Sequence, residues 1–108
     1  MRTSLPPPLQ PLRWDRDDAP DSRTVDARLR AEGVEPYPWS NGPGYAYPAH
    51  EHPYTKLLMC AAGSITFLVG PDAVPVELVP GDGFVLPPFT LHAANVGPRG
   101  CTCLEGHR

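Results

Sequence analysis

His50 and His52 stand two residues apart in a run, Tyr45 to His52, that reads as a β-strand. Side chains at that spacing leave the same face of a strand, with about 6.5–7 Å between their Cα atoms. Two imidazoles so placed can converge on one divalent ion. His92, in the later run Leu91 to Val96, supplies a third ligand if that strand lies alongside. Three protein ligands leave coordination positions for water or a substrate, as catalytic metal sites do. Three neutral imidazoles suit zinc, copper, iron or nickel better than magnesium or calcium. Taken alone, the pair also fits two solvated surface histidines. Cys101-x-Cys103 could form half of a zinc site, but the chain has only three cysteines and no second clustered pair. The stronger reading for Cys60, Cys101 and Cys103 is buried thiols that pack as small hydrophobes.

Elements that could position these residues are short. The chain has 108 residues, enough for one domain, with 16 prolines and 10 glycines that leave little room for long helices. Met1 to Pro20 reads as an extended, proline-rich arm, and residues 21–108 as the single domain. The one good helix signal spans about 22–32, with Asp21 or Ser22 as cap, Val25 and Leu29 on one face, and Gly33 to terminate it. From Val34 onward, short apolar runs alternate with turns. Tyr45 to His52, Lys56 to Ala61, Ile65 to Val69, Val74 to Val79, Phe84 to Leu86, Leu91 to Val96 and Cys101 to Leu104 are the candidate strands. Around eight short strands at this spacing predict an all-β sandwich or barrel.

The glycines around the histidines carry a resemblance. Gly44 precedes His50 by five intervening residues; His52 follows, then Lys56 after three more and Gly63 after a further six. A second stretch sets Gly81, Pro87, Phe89 and His92 in order, with Asn95 one residue before its expected place. Over residues 38–104 the chain resembles the cupin superfamily, whose two motifs have this pattern, with glutamate in the place of Lys56 and glycine in that of Phe89. The resemblance implies a double-stranded β-helix, a jelly-roll barrel, with a metal between two strands. In cupins the matching residues bind iron, manganese, nickel, zinc or copper, and the ligand role carries over to His50, His52 and His92. It also implies a homodimer.

Lys56 is the only lysine in the chain, against eight arginines. Arginine cannot deprotonate in a protein, whereas lysine can. Pro53 makes a turn that lets Lys56 open the returning strand and point back to the histidines. Three outcomes follow. Burial and a metal could leave a neutral amine acting as base or ligand; the ammonium could pair with a buried acid such as Glu105; or the site could hold no metal. The alternative is a lysine that covers the barrel mouth. Leu58 and Cys60 share the face of Lys56 and would line the pocket, with Tyr54 and Phe89 at its rim. Lys56 and Tyr54 are the groups that could move a proton. Trp14, Trp39 and Phe67 read as packing residues.

A formal charge of −3 argues against nucleic-acid binding, and no apolar run is long enough to span a membrane. The first ten residues lack the apolar stretch of a secretory signal, so the expectation is a cytoplasmic protein. Three functions stay open: an enzyme acting on a small organic molecule by oxygenation or Lewis-acid chemistry, a module that binds or senses a small molecule or metal, and a metal-free barrel with a structural role.

Overall fold

The computed structural model describes residues 5–108. Its elements are β1 (Gln10–Leu12), α1 (Ser22–Arg30), β2 (Tyr37–Asn41), β3 (Ala46–His50), β4 (Lys56–Val69), β5 (Val74–Leu78), β6 (Gly83–Leu86) and β7 (His92–His107). Every strand pairing is antiparallel, and the chain is an all-β jelly roll as expected. Two long strands organise it. The first half of β4 pairs with β6 and with the end of β7, whereas its second half pairs with β5 and with the start of β7. The end of β7 also carries β2, and its start carries β3. Both long strands therefore run through the two opposed sheets that enclose the interior.

The run Leu57 to Ala61 is buried at every position because β4 is covered on both faces. Leu58 and Cys60 enter the inner core with Phe84, Leu86 and Cys103. Leu57, Met59 and Ala61 face the other way, into a second core with Val25 and Leu29 of α1 and with Leu12 and Val34. The helix forms where expected. Asp21 caps it, its side chain accepting from the Thr24 N–H while the Thr24 hydroxyl accepts from the Asp21 N–H.

Inward-facing positions are Lys56, Leu58 and Cys60 early in β4, but Ile65, Phe67 and Val69 late in it. That change of parity needs an inserted residue, and the β4–β7 register shifts twice between Cys60 and Ile65. Gly63 sits there at φ +68°, so close to its neighbour that a Cβ would lie 1.9 Å from the Gly100 carbonyl oxygen. It marks a bulge, not the chain reversal its glycine suggests. Lys56 to Ala61 and Ile65 to Val69, read separately from the sequence, are thus one strand. Leu91 to Val96 and Cys101 to Leu104 likewise join in β7. Pro98 falls between the paired segments ending at Val96 and starting at Cys101, where no ladder needs its missing N–H.

The proline-rich N-terminus contains β1, which pairs with β6 from Gln10↔Val85 to Leu12↔Gly83. Met1 to Ser4 of the expected arm lie outside the described residues. Strand β2 was absent from the candidate strands read from the sequence, which begin at Tyr45. No helix of the described residues is long and apolar enough to cross a membrane.

Candidate metal centre

His50 closes β3 and pairs directly with His92 on β7. Between Tyr47 and His50 the β3 register slips by one residue, a bulge that lets both side chains line the same cavity. His52 lies beyond the end of β3, so the strand period alone does not aim it. Its carbonyl accepts a 2.7 Å hydrogen bond from the Phe89 N–H. The Thr55 carbonyl accepts from the Arg108 N–H at 2.9 Å, which anchors the other end of the same loop. Ring centroids are 4.7 Å apart for His50–His52, 4.4 Å for His50–His92 and 5.1 Å for His52–His92. One ring nitrogen from each of the three lies within 4.8 Å of the others.

Hydrogen bonds set the tautomers of two rings. His50 Nδ1–H donates to the Pro48 carbonyl and His92 Nδ1–H to the Thr90 carbonyl, both at 2.8 Å. Each Nε2 is left with its lone pair free. The Nε2 atoms of His52 and His92 are buried and have no hydrogen-bond partner. A buried polar atom left so costs about 1–3 kcal/mol, which a shared cation would offset. Burial pushes the His92 imidazole down to about 4, and burial followed by the Lys56 charge lowers His52. Both rings are thereby held neutral, the form that ligates. Donor type, tautomer and unpartnered nitrogens all fit a divalent transition metal.

Beside the histidines a cavity of about 270 Å³ opens between the sheets. Tyr37, Trp39, Tyr47, Leu58 and Phe67 give it aromatic and aliphatic walls, and Lys56 and Glu105 lie within them. Lys56 Nζ is 3.6 Å from Glu105 Oε1, so the pairing with a buried acid is the outcome found. Glu105 also accepts from Tyr37 Oη and Trp39 Nε1, each at 2.8 Å, and from His107 Nε2 at 3.1 Å. Burial raises its pKa, but the Lys56 charge and these donors outweigh it, and the carboxyl is held below its ordinary value.

Of the residues expected at the pocket, Leu58 lines this cavity. Cys60 lies deeper, in the inner core with Cys101 and Cys103, and all three thiols are free and buried. Tyr54 is outside the lining; its ring stacks on His52 at 4.9 Å and on His107 at 3.9 Å. Burial, then the Glu105 charge, raises its pKa and keeps the phenol neutral. Phe89 is 65% exposed and turned away from the cavity. Its φ of +59° is the left-handed geometry that glycine adopts freely, which accounts for the glycine usual at this motif position. Trp39 and Phe67, read as packing residues, line the cavity, as does Tyr37. A sequence signal that could have found Trp39 and Tyr37 is the proline-spaced aromatic pair Tyr37-Pro38-Trp39, just before the turn-forming run Ser40 to Gly44.

Residues 37–104 match the family described as AraC-like ligand binding domain. Among solved structures, the DMSP lyase DddQ from Ruegeria pomeroyi is 29% identical, with a TM-score of 0.62 over 69% of this chain and 38% of that one. An RmlC-like cupin from Shewanella frigidimarina is 23% identical, with a TM-score of 0.60 over 68% of this chain and 64% of that one. The ribosomal oxygenase YcfD from Escherichia coli, solved with cobalt and succinic acid, is 19% identical, with a TM-score of 0.66 over 80% and 28%. This chain thus spans well under half the length of the DMSP lyase. No curated protein matches it by sequence.

Proposed function

This chain belongs to the AraC-like ligand-binding domain family of the cupin superfamily, and from that premise we propose that it is a metal-dependent enzyme acting on a small organic molecule. His50, His52 and His92 hold one divalent transition metal, and the adjoining cavity holds the substrate. The observation that carries this reading is the pair of buried, unpartnered Nε2 atoms on His52 and His92, gathered with His50, where His50 and His92 line the cavity. Zinc, iron, nickel, copper and manganese are all compatible with such a donor set. When bound, the ion supplies Lewis acidity to an oxygen or sulfur group of the substrate. The 29% identity to a DMSP lyase supports this course over oxygen chemistry.

The chain's own residues supply the rest. Backbone carbonyls at Pro48 and Thr90 keep His50 and His92 in the ligating tautomer. Leu58, Phe67 and the aromatic walls keep water from the reacting end of the cavity. Lys56 Nζ is the group that holds or delivers a proton there, and the Tyr54 ring positions His52 by stacking on it. The family description favours one second reading, that the cavity binds a ligand without turning it over. Incubation with excess ligand separates the two, since a binding module returns it unchanged. The same reading takes the protein as a cytoplasmic homodimer that binds neither nucleic acid nor membrane.

Metal analysis of protein purified without chelator tests the centre. About one equivalent is expected in the wild type and little in His50→Ala or His92→Ala. A metal-free wild type from metal-replete cells would overturn the proposal.

A further inference from the structure

Among the described residues, only two that line the cavity carry a formal charge, Lys56 and Glu105, and their surroundings differ sharply. The Glu105 carboxylate is well satisfied, with three hydrogen-bond donors from Tyr37, Trp39 and His107. Lys56 is not. It is only 8% exposed, its ammonium lies beyond hydrogen-bond distance of Glu105 at 3.6 Å, and among the described residues it donates no hydrogen bond. An ammonium has three donors, and those of Lys56 open to the cavity with no acceptor from the described residues. The protein supplies the charge balance for Lys56 through Glu105 but leaves its donors free in the wall beside His50 and His92.

We infer that Lys56 is an anion anchor and that the cavity takes a small monocarboxylate with an apolar body. The carboxylate meets the Lys56 ammonium, where it can accept two of the free donors. The body lies against Leu58, Phe67 and Tyr47, which offer only apolar and aromatic surface in that part of the cavity. A doubly charged phosphate fits worse than a singly charged carboxylate, because Glu105 already balances the one ammonium and each further charge against those walls adds to the cost. Neutral sugars fit no better, as their several hydroxyls would lie against those walls with few partners. This inference rests on the reading of the cavity as the ligand site and names the class of molecule it holds. Lys56 thereby stands where the cupin motif has a metal ligand and takes up the substrate instead.

Paired titrations with 3-methylbutanoate and the isosteric 3-methylbutanamide, followed by Trp39 fluorescence and by calorimetry, test the anchor. In metal-free wild type the carboxylate should bind at least about tenfold tighter than the amide, the scale of one charge-assisted hydrogen bond. Equal binding, or tighter binding of inorganic phosphate than of the carboxylate, overturns the inference without any variant. The double variant Lys56→Met/Glu105→Gln removes both charges together, so that no lone buried ion is left. Its carboxylate preference should vanish in the metal-free protein while zinc uptake at the histidines persists. A preference that survives this double variant also overturns the anchor. Repeating the series on zinc-loaded protein separates the two proposals. Absence of zinc binding removes the metal centre but leaves the metal-free preference as the measure of Lys56.

Discussion

His92 shows how one residue ties stability to function. It is 2% exposed, its Nδ1–H is committed to a backbone carbonyl, and its Nε2 faces the other histidines without a partner. The folded chain holds its pKa near 4, against about 6.5 when unfolded. Above pH 6.5 both states are neutral and the group adds no pH dependence. As pH falls from about 6.5 to about 4, the unfolded state takes up a proton that the folded state refuses, and stability is lost through that window. His52, also lowered, acts in the same direction. Denaturation midpoints of metal-free protein should therefore drop between pH 6.5 and 4, and His92→Leu should flatten the slope. An unchanged slope in that variant would show that His92 is not the group responsible. The clustered histidines His50, His52 and His92 were legible in the sequence because residue type and spacing mark them. The neighbours of Lys56 were less so: Glu105 was named only as a candidate, and Tyr37 and Trp39 were not seen as its partners. They meet through the register Tyr37↔Glu105 and Trp39↔Cys103, which joins residues more than sixty positions apart and leaves no local pattern.

At the level of elements, the site depends on two bulges. One in β3 turns His50 and Tyr47 to the same side, and one in β4 carries the inward face from Lys56, Leu58 and Cys60 to Ile65, Phe67 and Val69. The barrel character was legible because turn residues recur between apolar runs. Strand lengths were not, because a glycine in a bulge and a glycine in a chain reversal look alike in sequence. Gly63 illustrates this. It ends the first cupin-like motif by spacing, yet it lies within β4, at positive φ and with the Gly100 backbone against its α-carbon. Alanine there would meet both a left-handed backbone and a backbone oxygen that cannot swing aside. Gly63→Ala should cost about 3 kcal/mol or more, read as a large fall in the unfolding midpoint. A small or absent fall would mean that the two strands can separate locally without loss of the fold.

Across the whole molecule, two cores share one sheet, and the N-terminal segment joins them. Leu9, just before β1, packs in the inner core, whereas Leu12 packs in the outer one beneath α1. The Arg28 guanidinium of α1 donates to the Arg13 carbonyl at 2.9 Å and pairs with Glu32 at 2.8 Å, fixing the chain where it leaves β1. A segment that reads in sequence as an extended, proline-rich arm, because its prolines suppress any periodicity, contributes a strand and two core leucines to the barrel. Removing residues 1–12 would strip the pairing from the edge of β6 and withdraw one leucine from each core. Burial of two leucines alone stabilises by roughly 3–6 kcal/mol, a large share of what a domain of this size has to spare. The truncated chain should unfold at markedly lower denaturant than the full chain, and Leu12→Ala should reproduce part of that loss by opening the outer core alone. A truncation that leaves the midpoint unchanged would return the segment to the status of an arm. If it falls as expected, zinc should restore part of the stability by binding only the folded state, since the three histidines lie on β3, the following loop and β7, none of which is deleted.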